Sequence, residues 1–238
     1  LTHSVPTRRS SDLTAFDGVV IGDIEANTLR GRFLEISLSA IQALADSPLT
    51  RSEHWLHLRC ELANHDVWDH YQALADHPMV KLISLMDHTP GQRQWRDLGK
   101  YREYTERQGK LSDEAFEALM AERISAQAEH ADRQRVRLVA DVRARGLPLA
   151  SHDDTSAEHV CQAHAEGIAI SEFPTTIEAA QTAHQLGLKN VMGAPNVVNG
   201  GSHSGNVSAM TLAKMGLLDA LSSDYVPASL LDAAFMLH

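Results

Sequence analysis

Residues 147–193 read LPLASHDDTSAEHVCQAHAEGIAISEFPTTIEAAQTAHQLGLKNVMG. Short apolar runs stand at 147–151, 168–171 and 190–193, and longer segments with helical spacing lie between them at 156–165 and 176–186. Runs of four or five mostly apolar residues read as buried strands, and the longer periodic segments as amphipathic helices. Gly187 follows the second of these helices as its C-cap. Strand and helix in strict alternation predict a parallel sheet.

The same alternation extends in both directions. Residues 16–22 read as a buried strand closed by Gly22, and 33–45 carry Leu34, Ile36, Ile41 and Leu44 at helical spacing. Residues 55–60 and 80–86 read as strands, with a helix over 67–75 between them. The stretch 101–132 is long, charged and strandless, and reads as a helical insertion near 100–132, before a separate helix over 134–145 that Gly146 ends. Beyond the opening stretch, 207–215 is a helix, 217–223 a short strand, and 230–236 the start of a helix. Roughly seven βα units result. Neither G-x-G-x-x-G nor G-x-x-x-x-G-K-[ST] occurs, which weakens a nucleotide-binding doubly wound sheet. A (β/α)₈ barrel typically needs about 250 residues and an eighth unit. The expectation is therefore α/β, an incomplete TIM-type barrel over 14–238. Residues 1–13, LTHSVPTRRSSDL, fit no element and read as a non-native or disordered leader, with a mobile natural tail as the alternative.

Composition narrows the function. The 238 residues carry a formal charge of −10, with 43% hydrophobic and 22% charged residues, an ordinary globular balance. An acidic chain lacks the basic face that non-specific nucleic-acid binding needs. No apolar run is long enough to span a membrane, and no stretch reads as a signal peptide. Cys60 and Cys161 are too few for a disulfide framework, so a reducing cytoplasm is expected. Oligomeric state is left open. The 14 histidines outnumber Phe, Trp and Tyr together.

In a parallel barrel the active site gathers at the C-terminal ends of the strands. The residues following the apolar runs are Glu61, then Asp87 and His88, then His152, Asp153 and Asp154, then Glu172, then a glycine-rich loop over 199–206, and finally Asp224. Imidazoles and carboxylates recurring at one end suit a divalent metal with an open position for water. Each has a plainer alternative. His88 could sit in an Asp-capped loop. Asp153 could orient His152, or Asp153 or Asp154 could cap the next helix. Asp224 could be a cap or a general base. Arg59 shares a strand face with Glu61, since side chains alternate. His54, His65, His70, His77, His130, His159, His164 and His184 lie in loops or on helix faces and read as structural or solvated. The loop with His203 and Asn206 is a candidate phosphate cradle, as is the loop with Arg93, and an ordinary turn is the alternative for the first.

The stretches LHLRCEL (56–62), SLMDHTPGQRQ (84–94), KYREY (100–104), LASHDD (149–154), ISEFPTTIEAA (170–180), VMGAPNVVNGGSHSGNVSA (191–209) and LSSDYVPASLLDAAF (221–235) together closely resemble a diphosphatase family of the amidohydrolase superfamily that serves the carbon–phosphorus lyase pathway. The resemblance covers about 16–236. It implies a metal-dependent hydrolase that splits α-D-ribose 1-methylphosphonate 5-triphosphate into the 5-phosphate and diphosphate. Carried over, Glu61, His88, His152 and Asp224 are metal ligands, Asp224 is also the general base, and Arg59, Arg93, His203 and Asn206 contact phosphate. The metal expected is zinc, with manganese as the alternative. The superfamily's His-x-His motif on the first strand is missing, so the chain resembles a barrel lacking that strand and a small β domain. The alternatives are a deacetylase or cyclic-amide hydrolase on the same metal set, or an inactive fragment.

Overall fold

The computed structural model describes residues 14–22, 29–45, 47, 52–107, 109–202 and 204–238. The leader 1–13 and His203 lie outside them. Among the described residues seven strands form one sheet: β1 (Thr14–Ile21), β2 (Glu53–Glu61), β3 (Val80–Met86), β4 (Leu149–His152), β5 (Ile170–Glu172), β6 (Lys189–Gly193) and β7 (Ala220–Ser222). Their spatial order is the chain order, and every neighbouring pair is parallel. The helices that carry the chain back are α1 (Leu29–Ala45), α2 (Val67–Ala75), α3 (Leu98–Glu106), α4 (Asp113–Ala144), α5 (Ala157–Ala165), α6 (Ile177–Gln185), α7 (Ala194–Val198), α8 (Ala209–Lys214) and α9 (Ser229–Leu237).

The sheet is curled. Gly18 and Val20 of β1 line the same cavity as Gly193 of β6 and Asp224 beyond β7, which a flat sheet would keep at opposite edges. Sequential parallel order with curvature is the geometry of part of a barrel, as the alternation predicted. The main core fills the space between the sheet and its helices. Leu58 and Ile83 from the strands, Leu138 and Val142 of α4, Val160 of α5 and Ala183 of α6 are all fully buried in it.

Local chemistry explains the boundaries. Ser156 and Thr176 cap α5 and α6, their hydroxyls accepting from the His159 and Ala179 amides. Neither Asp153 nor Asp154 caps α5, contrary to one expectation for that pair. The separate insertion over 101–132 and helix over 134–145 also need correction. Asp113–Ala144 is one helix of 32 residues with neither Gly nor Pro inside it. Its first half buries only Phe116, whereas Ala131, Gln134, Arg135, Leu138, Val139 and Val142 are buried in the second. The apolar stripe changes at residue 131 while the backbone runs on. Two short helical pieces escaped the sequence reading: α7, and a single 3₁₀ turn at Arg93–Trp95.

Candidate functional site

The strand ends are kinked where the functional residues stand. Among the described residues the non-glycine positions with left-handed backbone are Arg93 (φ 47°), Asp153 (φ 55°), Phe173 (φ 54°) and Asp224 (φ 48°). Asp153 directly follows β4, Phe173 directly follows β5, and Asp224 comes two residues after β7. Each such residue costs about 1–3 kcal/mol and persists only where its surroundings impose it. Asp153, Phe173 and Asp224 all line one cavity of about 1310 Å³ at this end of the sheet.

Two imidazoles meet a carboxylate there. His88 and His152 have ring centroids 5.5 Å apart, nearly edge to face. Nε2 of each ring lies 3.5 Å from Oδ2 of Asp153. The donor atoms of His88, His152 and Asp153 lie within 4.8 Å of one another. Asp153 Oδ2 is buried and accepts no hydrogen bond. A buried carboxylate oxygen between two imidazole nitrogens is costly unless positive charge sits against it, either a protonated His88 or a cation shared by all three groups.

A second ring of carboxylates fixes the imidazoles. Glu61 Oε2 accepts from His88 Nδ1 at 2.6 Å, and Glu61 Oε1 accepts from the His88 amide at 2.9 Å. Glu172 Oε2 accepts from His152 Nδ1 at 3.2 Å and from the Ser84 hydroxyl at 2.6 Å. Arg59 donates from Nη2 to His152 Nε2 at 3.2 Å. Arginine can only donate, so Nε2 carries the His152 lone pair and Nδ1 the proton. Carboxylates that hold Nδ1 while Nε2 faces a shared centre are the supporting pattern of metal-binding histidines. Behind this layer, His57 Nε2 meets the Ser84 hydroxyl and lies 3.7 Å from Glu172 Oε1.

The electrostatics follow. Burial would lower His88, but Glu61 and Asp153 outweigh it and raise the imidazole to about 10. Burial would raise Glu61, yet the charge and hydrogen bonds of His88 hold it at about 2. Glu172 is likewise held at about 2 against its burial, chiefly by the His152 hydrogen bond and the His57 charge. His57 falls to about 4 through burial, against the pull of the Glu172 charge the other way. The centre is a negatively charged nest that draws in positive charge.

The residues singled out from the sequence divide clearly. His88 and His152 are brought together. Glu61 reaches the centre only through His88. Asp224 lines the same cavity, and its Oδ2 lies where a side chain at Gly193 would crowd it, 3.1 Å from a Cβ built there. Arg59 and Asn206 line the cavity, and Asn206 Oδ1 is buried without a hydrogen-bond partner. Arg93 is turned out of it. Its Nη1 donates to the His152 carbonyl and to Asp154 Oδ1, both at 2.9 Å, behind β4. Asp87 is the loop cap that the alternative reading allowed, accepting from the Thr89 amide and hydroxyl, while His88 swings into the cavity. Asp153 as a member of the triad, and His57 and Ser84 as supports, were missed. A signal existed for His57: His57, Arg59 and Glu61 alternate along β2 and so share a face.

The chain is 45% identical over 234 residues, 98% of its length, to the α-D-ribose 1-methylphosphonate 5-triphosphate diphosphatase of Escherichia coli (strain K12). It spans 62% of the length of that relative. No family model matches the chain. No solved structure matches it.

Proposed function

We propose that this chain carries the catalytic part of a metal-dependent diphosphatase acting on α-D-ribose 1-methylphosphonate 5-triphosphate, on an amidohydrolase-type barrel. The observation that carries the reading is the centre of His88, His152 and Asp153, with its orphaned carboxylate oxygen. The donor set, two nitrogens and one oxygen with outer carboxylates, fits a divalent cation such as Zn²⁺, with Mn²⁺ as the alternative. His88, His152 and Asp153 would hold it, and Glu61 would act through His88. When bound, the cation supplies a water of lowered pKa and a positive charge beside the reacting phosphoryl group.

The chain's own groups account for the rest. Asp224 accepts a proton from the attacking water as its oxygen bonds to the sugar-linked phosphorus. The anhydride bond to the next phosphate breaks, and diphosphate leaves. Arg59 turns from His152 Nε2 to the phosphoryl oxygens, where a guanidinium binds in a bidentate fashion. Asn206 adds a polar contact from the glycine-rich loop. The outer carboxylates keep both Nδ1 protons in place throughout. The buried Cys60 and exposed Cys161, both free thiols, support a reducing compartment, and the cytoplasm fits such chemistry. No helix of the described residues is long and apolar enough to cross a membrane.

The test is diphosphate release from this triphosphate. Release is expected to stop with EDTA and to return with Zn²⁺ or Mn²⁺. Turnover that survives complete metal removal would overturn the reading. Turnover of cyclic amides or N-acetyl sugars in place of the triphosphate would replace it with another amidohydrolase chemistry. Asp224→Asn is expected to lower kcat by about 10²–10⁴, measured by the same assay. An unchanged kcat would remove Asp224 as the proton acceptor.

A further inference from the structure

The helical stretch above the strand ends carries cations that the reaction so far does not use. Arg107, at the C-cap of α3, and Arg123, in α4, both line the large cavity. Among the described residues neither guanidinium meets a carboxylate. By contrast Arg93, Arg102, Arg135 and Arg145 are each paired with an acidic side chain. Arg96, Arg133, Arg137 and Arg143 also meet no carboxylate among the described residues, so what sets Arg107 and Arg123 apart is that, like Arg59, they line the cavity of a chain of charge −10.

Their helices are joined by a small aromatic cluster. Trp95 packs on Tyr101 at 5.5 Å and on Tyr104 at 4.7 Å between ring centroids, and Tyr101 packs on Phe116 at 6.0 Å. Trp95, Tyr101 and Phe116 are buried as a separate apolar cluster joining α3, α4 and the 3₁₀ turn. Gln94 then ties this layer to the glycine-rich loop, accepting at its carbonyl from Asn206 and donating to the Ser204 hydroxyl, each at 3.4 Å. The cavity is lined by Arg59 beside the histidine centre and by Arg107 and Arg123 on the helices.

We propose that Arg107 and Arg123 form a second anion subsite that holds the non-reacting anionic end of the substrate, while the triphosphate lies at the histidine centre. The inference rests on the diphosphatase reading and deepens it. The ligand class is a small sugar phosphate with two separated anionic ends. The cavity, at about 1310 Å³, has room for a ligand of this size. Guanidiniums recognise phosphonate oxygens by paired, charge-assisted hydrogen bonds. The aromatic wall beside them would suit a nucleobase instead, so nucleoside triphosphates are the competing ligand to be tested.

The experiment compares kcat/KM for the ribosyl methylphosphonate triphosphate with that for ribose 5-triphosphate, which lacks the phosphonate, and for ATP. The ratio of the first to the second is expected to fall roughly 10–100-fold in Arg107→Ala/Arg123→Ala, the fold-change of a lost charge-assisted hydrogen bond. Arg107→Lys/Arg123→Lys should recover part of it. An unchanged ratio, or a preference for ATP over the phosphonate, would overturn the subsite. Should no triphosphate turn over, the diphosphatase reading fails by itself. Methylphosphonate titrated against the metal-free protein by ³¹P NMR then still reports on the subsite. Saturable broadening that the double variant loses supports it, and no broadening with the unaltered chain overturns it.

Discussion

His152→Ala protein isolated from zinc-supplemented medium is expected to contain no bound metal by elemental analysis, against stoichiometric metal in the unaltered chain. Catalytic zinc sites use three protein ligands and an open position. Here the three converging residues are His88, His152 and Asp153, with both Nε2 atoms 3.5 Å from Asp153 Oδ2. Removing one leaves two, and leaves the Asp153 oxygen facing a single imidazole. The same change leaves Glu172 Oε2 with the Ser84 hydroxyl alone, without the His152 Nδ1 proton. Glu172→Gln is the graded counterpart. It keeps the shape of the support but removes its charge, and should weaken metal binding by the roughly 10–100-fold that outer-layer changes cost. Stoichiometric metal retained in His152→Ala would place the metal elsewhere in the chain. An effect of Glu172→Gln as large as that of His152→Ala would make Glu172 a direct ligand.

How far the sequence carried the site depended on which distances it could encode. Strand ends are legible because side-chain periodicity switches from two to 3.6 where each strand gives way to its helix, and this brought out His88, His152 and Asp224. The order of the seven strands followed from the barrel reading, which the lack of a nucleotide-binding motif favoured over a doubly wound sheet. Asp153 was legible as a candidate but its direction was not. That direction comes from a left-handed backbone at φ 55°, which points the side chain back across the strand end toward His88. Nothing in Ser-His-Asp-Asp encodes the turn, because it is imposed by the hydrogen bond from the Asp153 amide to the Glu172 carbonyl on the neighbouring strand. Glu61 shows the converse. Its position at the end of β2 suggested a ligand, yet the reach of His88 across 27 residues occupies both of its oxygens. Contacts of that range are set by the packing of whole strands and leave no local pattern.

Arg93→Ala is expected to destabilise the fold by about 3–5 kcal/mol, the cost of removing one partner of a buried ion pair. Asp154 is fully buried, with Oδ1 accepting from Arg93 at 2.9 Å and Oδ2 from the Ser151 hydroxyl. Without the guanidinium, that carboxylate keeps only a hydroxyl. Arg93 also holds the carbonyl of His152 at 2.9 Å, so the loss reaches the strand end that carries the metal site. An effect of this size is a large fraction of the roughly 5–15 kcal/mol that separates most folded domains from their unfolded chains. Urea unfolding followed by tryptophan fluorescence measures it, with Trp95, buried two residues away, as reporter. Asp154→Ala should destabilise by a similar amount, because it strands the guanidinium instead, whereas the double substitution Arg93→Ala/Asp154→Ala should cost less than the two singles together. The sequence reading made Arg93 a candidate phosphate contact, since a guanidinium in the loop after His88 can pair with phosphate in a bidentate fashion. The ion pair and the phosphate contact make opposite demands on one side chain. A stability loss below about 1 kcal/mol together with a raised KM would return Arg93 to the substrate. A loss near 3–5 kcal/mol identifies it as the brace behind β4, and leaves Arg59 as the arginine beside the histidine centre that is free to turn toward phosphate.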